Sequence, residues 1–375
     1  MRILHVVTLV DDQSSYGGPL TVAVNQCREL ISRGHDARIL AGWAGAGPIP
    51  EELEGVPAHL FTVRGLIPGM RFSGLISGAM LTWLHRNAKT FDVAHLHAAR
   101  DLVPLSAGMV LRRAKVPYTT QTHGMVRPDR RLAARAIDRL LTGRVLRNAT
   151  ARFVLTDTED RAMVDLLGKN ASTVRLPNGV AVHDEARTMT EPLDILFMAR
   201  LHPRKRVMDF AQAAATLIQE GHSVQFSVVG PDDGDLLLLE EFIAAYPSLS
   251  GRLRYEGALP HDAAVSRLAQ AGVFVLPSVD EPFPMTLLEA LAVGTPSICT
   301  TSCGVANDLA WDGAALVVDP GVIPLVEALR QLIQDRAYRH SLSDTARQTA
   351  RTRYSMEAVG NQLLSAYPPE ASIAR

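Results

Sequence analysis

The sequence predicts an α/β protein of two wound halves, each a parallel sheet covered by helices. Three observations carry this reading. Short apolar runs alternate with helix-period segments along nearly the whole chain. The pattern restarts at Asp194, after a polar and weakly periodic stretch from Val182 to Pro192. A length of 375 residues is long for one domain and comfortable for two. The expected organisation is therefore residues 1–181, a linker over 182–193, a second domain over 194–355, and a terminal helix with its tail over 356–375.

In the first half, Ile3 to Val7, Ala37 to Ala41, Val93 to Leu96, Tyr118 to Gln121 and Arg152 to Leu155 read as strands, with a helix from about Pro19 to Arg33 after the first. The second half opens with a strand at Asp194 to Met198. A helix from Val207 to Glu220 follows, keeping Val207, Phe210, Ala211, Ala214, Leu217 and Ile218 on one face, and then a strand at Val224 to Val229. The last helix begins near Ser355, lines up Met356, Val359, Leu363 and Tyr367, and stops at Pro368.

Composition narrows the function classes. Hydrophobic residues make up 47% and charged residues 21%, as in a soluble protein with large cores, and a formal net charge of -1 gives no global attraction for nucleic acid. Cys27, Cys299 and Cys303 form neither a disulfide array nor a metal-ligand pattern. The amino terminus enters a strand pattern directly instead of a signal peptide, and no apolar stretch is long enough to span a bilayer, so the expected location is cytoplasmic.

In doubly wound sheets ligands bind beyond the carboxyl ends of the strands. One such end stands out. After the apolar strand Val273 to Leu276, a Pro-rich turn presents Glu281, and a short helix is expected to place Glu289 in its first turn. A helix terminus flanked by two carboxylates suits a phosphate beside sugar hydroxyls. The competing reading is a capping box over Thr286 to Glu289, in which Glu289 only satisfies backbone N–H groups. At another strand end, Arg200 and Lys205 could stabilise charge on a departing diphosphate. Gly17-Gly18-Pro19 opens a helix after the first strand and allows close backbone approach, while the absence of G-x-G-x-x-G there disfavours a dinucleotide-dependent dehydrogenase.

The E-x7-E spacing of Glu281 and Glu289, with Arg200, Lys205 and the double glycine, resembles the retaining family-4 glycosyltransferases of GT-B fold. The resemblance implies two facing doubly wound, Rossmann-like domains with a C-terminal helix crossing back. It implies transfer of a sugar from a nucleoside diphosphate sugar, UDP- or GDP-linked, to an acceptor hydroxyl on a saccharide, lipid-linked glycan or small molecule, with no cofactor and no metal. His123, Arg200, Lys205 and Glu281 would be catalytic. Gly18, Phe283, Pro284, Met285, Thr286, Leu287 and Glu289 would bind the donor with Arg200, Lys205 and Glu281. Pro284 stands where relatives have Gly and offers no N–H, and Arg206 also replaces a frequent Gly.

His95 and His97 share a strand face, and His97 is an acceptor-side candidate. The Asp232-Asp233-Gly234-Asp235 loop could hold a cation, although the resemblance implies cationic side chains instead. Arg131, Arg135 and Arg139 recur at four-residue spacing within Arg127 to Arg147, beside an apolar stripe, which allows a peripheral contact at the cytoplasmic membrane face. Two other functions fit the same nucleotide-sugar site: a sugar-nucleotide epimerase, and a non-catalytic sugar-nucleotide-binding regulatory protein.

Overall fold

The computed structural model describes residues 1–12, 17–66, 71–126, 137–169, 171–182 and 192–369. It contains two compact units, Met1–Gly179 with Met356–Arg375, and Val180–Ser355. Residues 183–191 of the expected linker, and Arg131, Leu132, Arg135 and Ala136 of the basic segment, lie outside the described residues.

The first unit holds an eight-stranded sheet. Its order is Val174–Arg175, Arg152–Val154, Tyr118–Gln121, Val93–His97, Arg2–Val10, Asp36–Trp43, Val56–Thr62 and Glu52–Leu53. All neighbours are parallel except the last pair. Alternate residues of the first strand feed opposite cores. Ile3 and Val7 pack with the helix Gly17–Ser32, and Leu4 and Val6 pack with the helices Gly78–Asn87 and Leu102–Ala114. Burial on both faces explains why strands such as Arg2–Val10 and Asp36–Trp43 are largely apolar, while the polar residue His5 among them is buried too.

The terminal helix Met356–Ala366 belongs to this unit. Val359, Leu363 and Tyr367 enter the core that contains Ile3 and Leu30, while the Arg33 guanidinium donates to Asn361 Oδ1 at 2.6 Å and to the Glu357 carbonyl at 2.7 Å. Gly360 permits the close approach, because a Cβ there would lie 2.8 Å from Glu29 Cγ and 3.0 Å from Arg33 Cζ.

The second unit is a six-stranded parallel sheet, ordered Leu253–Gly257, Gln225–Val229, Asp194–Met198, Val273–Leu276, Ser297–Thr300 and Leu316–Val318. Ile195 and Phe197 face one core with the amphipathic helix Val207–Gln219. Leu196 and Met198 face the other with the helix Met285–Ala292. Order reversal at Asp194–Met198 and Val273–Leu276 creates a switch point, with Arg200 following one of these strands and Glu281 the other. Among the described residues, no helix is long and apolar enough to cross a membrane.

Candidate active site

The segment after Asp194–Met198 is tied down by backbone contacts. Ala199 N donates to the Val229 carbonyl at 3.1 Å and Leu201 N to that of Pro231 at 2.9 Å. Gly230 makes this approach possible. Its φ is +145°, and a Cβ would fall 1.9 Å from the Ala199 oxygen. The chain then forms a single 3₁₀ turn, Pro203–Lys205, whose Arg204 N donates to His202 Nδ1 at 3.1 Å. Arg206 closes the turn in the left-handed region, at φ 60° and ψ 40°, which accounts for glycine being suited to this position.

This turn meets the Pro-rich turn that carries Glu281, 76 residues after Lys205, and Val279 N there donates to the Arg204 carbonyl at 2.9 Å. The Lys205 ammonium pairs with the Glu281 carboxylate, with side chains 14% and 9% exposed, and Arg204 Nη2 lies 3.9 Å from the same oxygen. Gly304 N donates to the Glu281 carbonyl at 2.8 Å. Lys205 and Glu281 are thus brought together and held by backbone on both sides. Arg200 is more exposed and pairs with Asp233 at 2.9 Å.

Pro284 takes the N-cap position of the helix Met285–Ala292, and no side chain caps it. Two expectations are corrected here. Glu289 is the fifth residue of the helix, not part of its first turn, and the capping box over Thr286 to Glu289 does not form, because Thr286 is already helical. Glu289 is half-buried, with His261 Nδ1 4.0 Å away; burial raises its carboxyl above the usual range and His261 opposes that shift. The Leu287 side chain is fully buried, while Phe283 and Met285 pack partly against the core. Pro284 is buried, and Thr286 is half-buried in the first turn. The Asp232–Asp235 carboxylates act separately: Asp232 accepts from Gly234 N at 2.9 Å and Leu236 N at 3.2 Å, and Asp233 pairs with Arg200.

Gly18 and His123 belong to the first unit. Gly17, Gly18 and Pro19 form the first turn of a helix, and a Cβ on Gly18 would meet no atom within 4 Å. His123 follows the strand Tyr118–Gln121 at φ 52°, with Gly124 at φ 72°. Buried Glu159 fixes this bend. Its carboxylate accepts from the Thr122 hydroxyl, from Gly124 N at 2.7 Å and from Leu155 N at 2.6 Å. Sequence reasoning missed Glu159. The available signal was Thr156-Asp157-Thr158-Glu159, whose capping spacing is half used, as Glu159 N donates to Thr156 Oγ1 at 3.3 Å. His95 and His97 do share a face, but both are buried, and His97 contacts His123.

Comparison with known proteins gives this arrangement its context. Residues 182–349 match the family described as glycosyl transferases group 1, and residues 17–179 match the glycosyl transferase 4-like domain. Alpha-D-kanosaminyltransferase of Streptomyces kanamyceticus is 26% identical over 97% of this chain and 98% of its own. D-inositol 3-phosphate glycosyltransferase of Corynebacterium urealyticum is 30% identical over 61% and 59%. Among solved structures, Anabaena HepE in complex with UDP superposes with a TM-score of 0.74 at 16% identity, covering 97% of this chain and 99% of that one. Sucrose-phosphate synthase of Thermosynechococcus elongatus gives 0.71 at 17%, covering 98% of each. The epimerase and regulatory readings are not favoured by these matches. The chain belongs to the glycosyltransferases of GT-B fold and family-4 type.

Proposed function

We propose that the protein is a retaining glycosyltransferase that takes a sugar from a nucleoside diphosphate donor and transfers it to an acceptor hydroxyl. The carrying observation is the pairing of strand-end Lys205 with Glu281, close in chain to a helix terminus that no side chain caps. On this reading Arg200 and Lys205 hold the diphosphate, whose negative charge grows as the glycosidic bond breaks. The N–H groups of Met285, Thr286 and Leu287, which lack a partner within the helix, add their partial positive charge, and Pro284 contributes none. Glu281 binds the donor sugar with Phe283 beside it, and Glu289 accepts from the ribose hydroxyls. His123 and Gly18 are assigned to the donor sugar on the family resemblance. On this reading Lys205, Arg200 and the helix terminus supply the positive charge, with no metal or other cofactor required.

Retention follows from attack on the face that the diphosphate leaves, with a leaving phosphate oxygen taking the acceptor proton. The complex of HepE with UDP supports a uridine donor, with a guanosine donor the alternative. Relatives named for inositol 3-phosphate and 2-deoxystreptamine support a small hydroxylated ring as acceptor, ahead of a lipid-linked glycan or larger saccharide. Exposed Arg139, Leu140, Arg144 and Arg147 support a peripheral contact of a cytoplasmic enzyme with anionic membrane.

A donor-by-acceptor screen read by mass spectrometry, with and without a chelator, tests the activity and its metal independence. Proton NMR of the product reads the anomeric configuration, and an inverted anomer removes the retaining assignment. Glu289→Gln is expected to weaken binding of the matching nucleotide by roughly tenfold. The same loss against the 2′,3′-dideoxy nucleotide would show that Glu289 does not contact ribose.

A further inference from the structure

Three histidines form a continuous chain inside the first unit. The register pairs His5 with His95 and His97 with Gln121, and the period of two puts His95 and His97 on one face. His5 Nδ1 lies 3.0 Å from His97 Nε2, and His97 Nδ1 lies 2.9 Å from His123 Nε2. The last two rings stack with their centroids 5.1 Å apart and planes 10° from parallel. His5 and His97 are fully buried, whereas His123 reaches the surface in part. Burial pushes His5 and His123 down to about 3 and His97 well below the ordinary histidine value, so the chain is neutral near pH 7.

A neutral imidazole has one N–H and one acceptor nitrogen, so the two hydrogen bonds can run in only two directions. If His123 donates inward, a proton is left on His5 Nε2, a buried atom with no hydrogen-bond partner among the described residues. If His5 Nδ1 donates to His97, and His97 Nδ1 donates to His123, the unpartnered buried atom is instead a bare acceptor. A buried N–H without a partner is the rarer and costlier defect.

We propose that His5 and His97 are positioning residues that hold His123 in its Nδ1–H tautomer, so that His123 offers its ligand a hydrogen-bond donor and not a base. This rests on the reading of His123 as a ligand contact. Glu159 and the 122–124 bend fix the backbone, and the histidine chain fixes the remaining variable, which nitrogen carries the proton. The atom contacted is then a lone-pair oxygen of the sugar or its phosphate.

Long-range proton–nitrogen correlation on protein labelled with ring-¹⁵N histidine reads the tautomer in the wild type, with His123→Asn identifying the resonance. An Nδ1–H pattern is expected, and an Nε2–H pattern on His123 overturns the proposal without need of a folded variant at His97. His97→Asn keeps an amide N–H near the position of Nδ1 and is expected to preserve both the tautomer and turnover. His97→Leu removes the donor, should move the His123 proton to Nε2, and should lower turnover by roughly three- to tenfold. An unchanged Nδ1–H pattern in folded His97→Leu shows that the chain does not set the tautomer. His123→Ala separates the underlying reading: wild-type donor affinity and turnover there remove the ligand contact, whereas the spectrum alone decides the tautomer.

Discussion

Replacing Lys205 with Ala separates the structural work of its ion pair from its proposed chemistry. The Glu281 side chain is 9% exposed, and without Lys205 the nearest cation among the described residues is Arg204, at 3.9 Å. Stranding a buried carboxylate costs about 3–5 kcal/mol, and partial compensation by Arg204 and the surface rim brings the expected loss to about 2–3 kcal/mol. For a domain of this size that lowers the melting temperature by about 5–10 °C. Urea melts followed by circular dichroism measure the free energy directly. Lys205→Ala with Glu281→Gln removes the stranded charge as well and is expected to recover most of the stability. Turnover behaves differently: the single and the double variant should each lose roughly 100- to 1000-fold. A single variant as stable as wild type, or a double variant no more stable than the single, would refute the electrostatic argument. Recovery of turnover in the double variant would make Lys205 a structural residue only.

Two further outcomes follow from the local geometry. Arg206 is held at φ 60° and pairs with Asp209 at 3.0 Å, so Arg206→Gly and Arg206→Ala lose the same ion pair but only Gly relieves the backbone. The Gly variant should therefore be more stable than the Ala variant by about 1 kcal/mol in denaturant melts, and the reverse order would contradict left-handed strain. Asp101 is 1% exposed and burial pushes its carboxyl from 3.8 up to about 7, against the opposing hydrogen bond from Ala99 N at 2.7 Å. Because the folded form keeps its proton longer than the unfolded form, this group's stabilising contribution is full below about pH 4, falls by on the order of 4 kcal/mol as pH rises to 7, and is flat above. Asp101→Asn should remove that slope, measured by urea melts at pH 5 and pH 8, and an unchanged slope assigns it to another group.

Much of the framework was legible because many of the parallel strands covered on both faces are largely apolar. Val273–Leu276 and Asp194–Met198 show this, and their ends located the Glu281 and Arg200 segments. The pairing of Lys205 with Glu281 was not legible, since it spans 76 residues and depends on two neighbouring strands ending side by side. The histidine chain was hidden for the same reason: residues 5 and 97 come from two strands and residue 123 from the bend after a third, and only His95 and His97 share a local pattern. The Glu289 misplacement is different in kind. A capping box is a local spacing, and Thr286 to Glu289 satisfies it, but Pro284 takes the cap position with φ -83° and starts the helix early enough to enclose Thr286. Pattern alone carries no information on which of two adjacent candidates begins the helix.

The two cations differ in how their present partners hold them, and this divides their proposed roles. Arg200 and Asp233 are 62% and 36% exposed, so their pair contributes only about 0–1 kcal/mol and is readily exchanged for another anion. Lys205 has a largely desolvated partner fixed by backbone hydrogen bonds on both sides of the contact, and it cannot leave Glu281 without stranding that charge. A diphosphate can therefore replace Asp233 at Arg200, but at Lys205 it must add to an existing pair. Arg200 is the cation suited to capturing the ligand, with an affinity that weakens as salt rises. Lys205, already oriented by Glu281 before anything binds, is suited to stabilising charge that develops later, because a preorganised cation needs no rearrangement when the bond breaks.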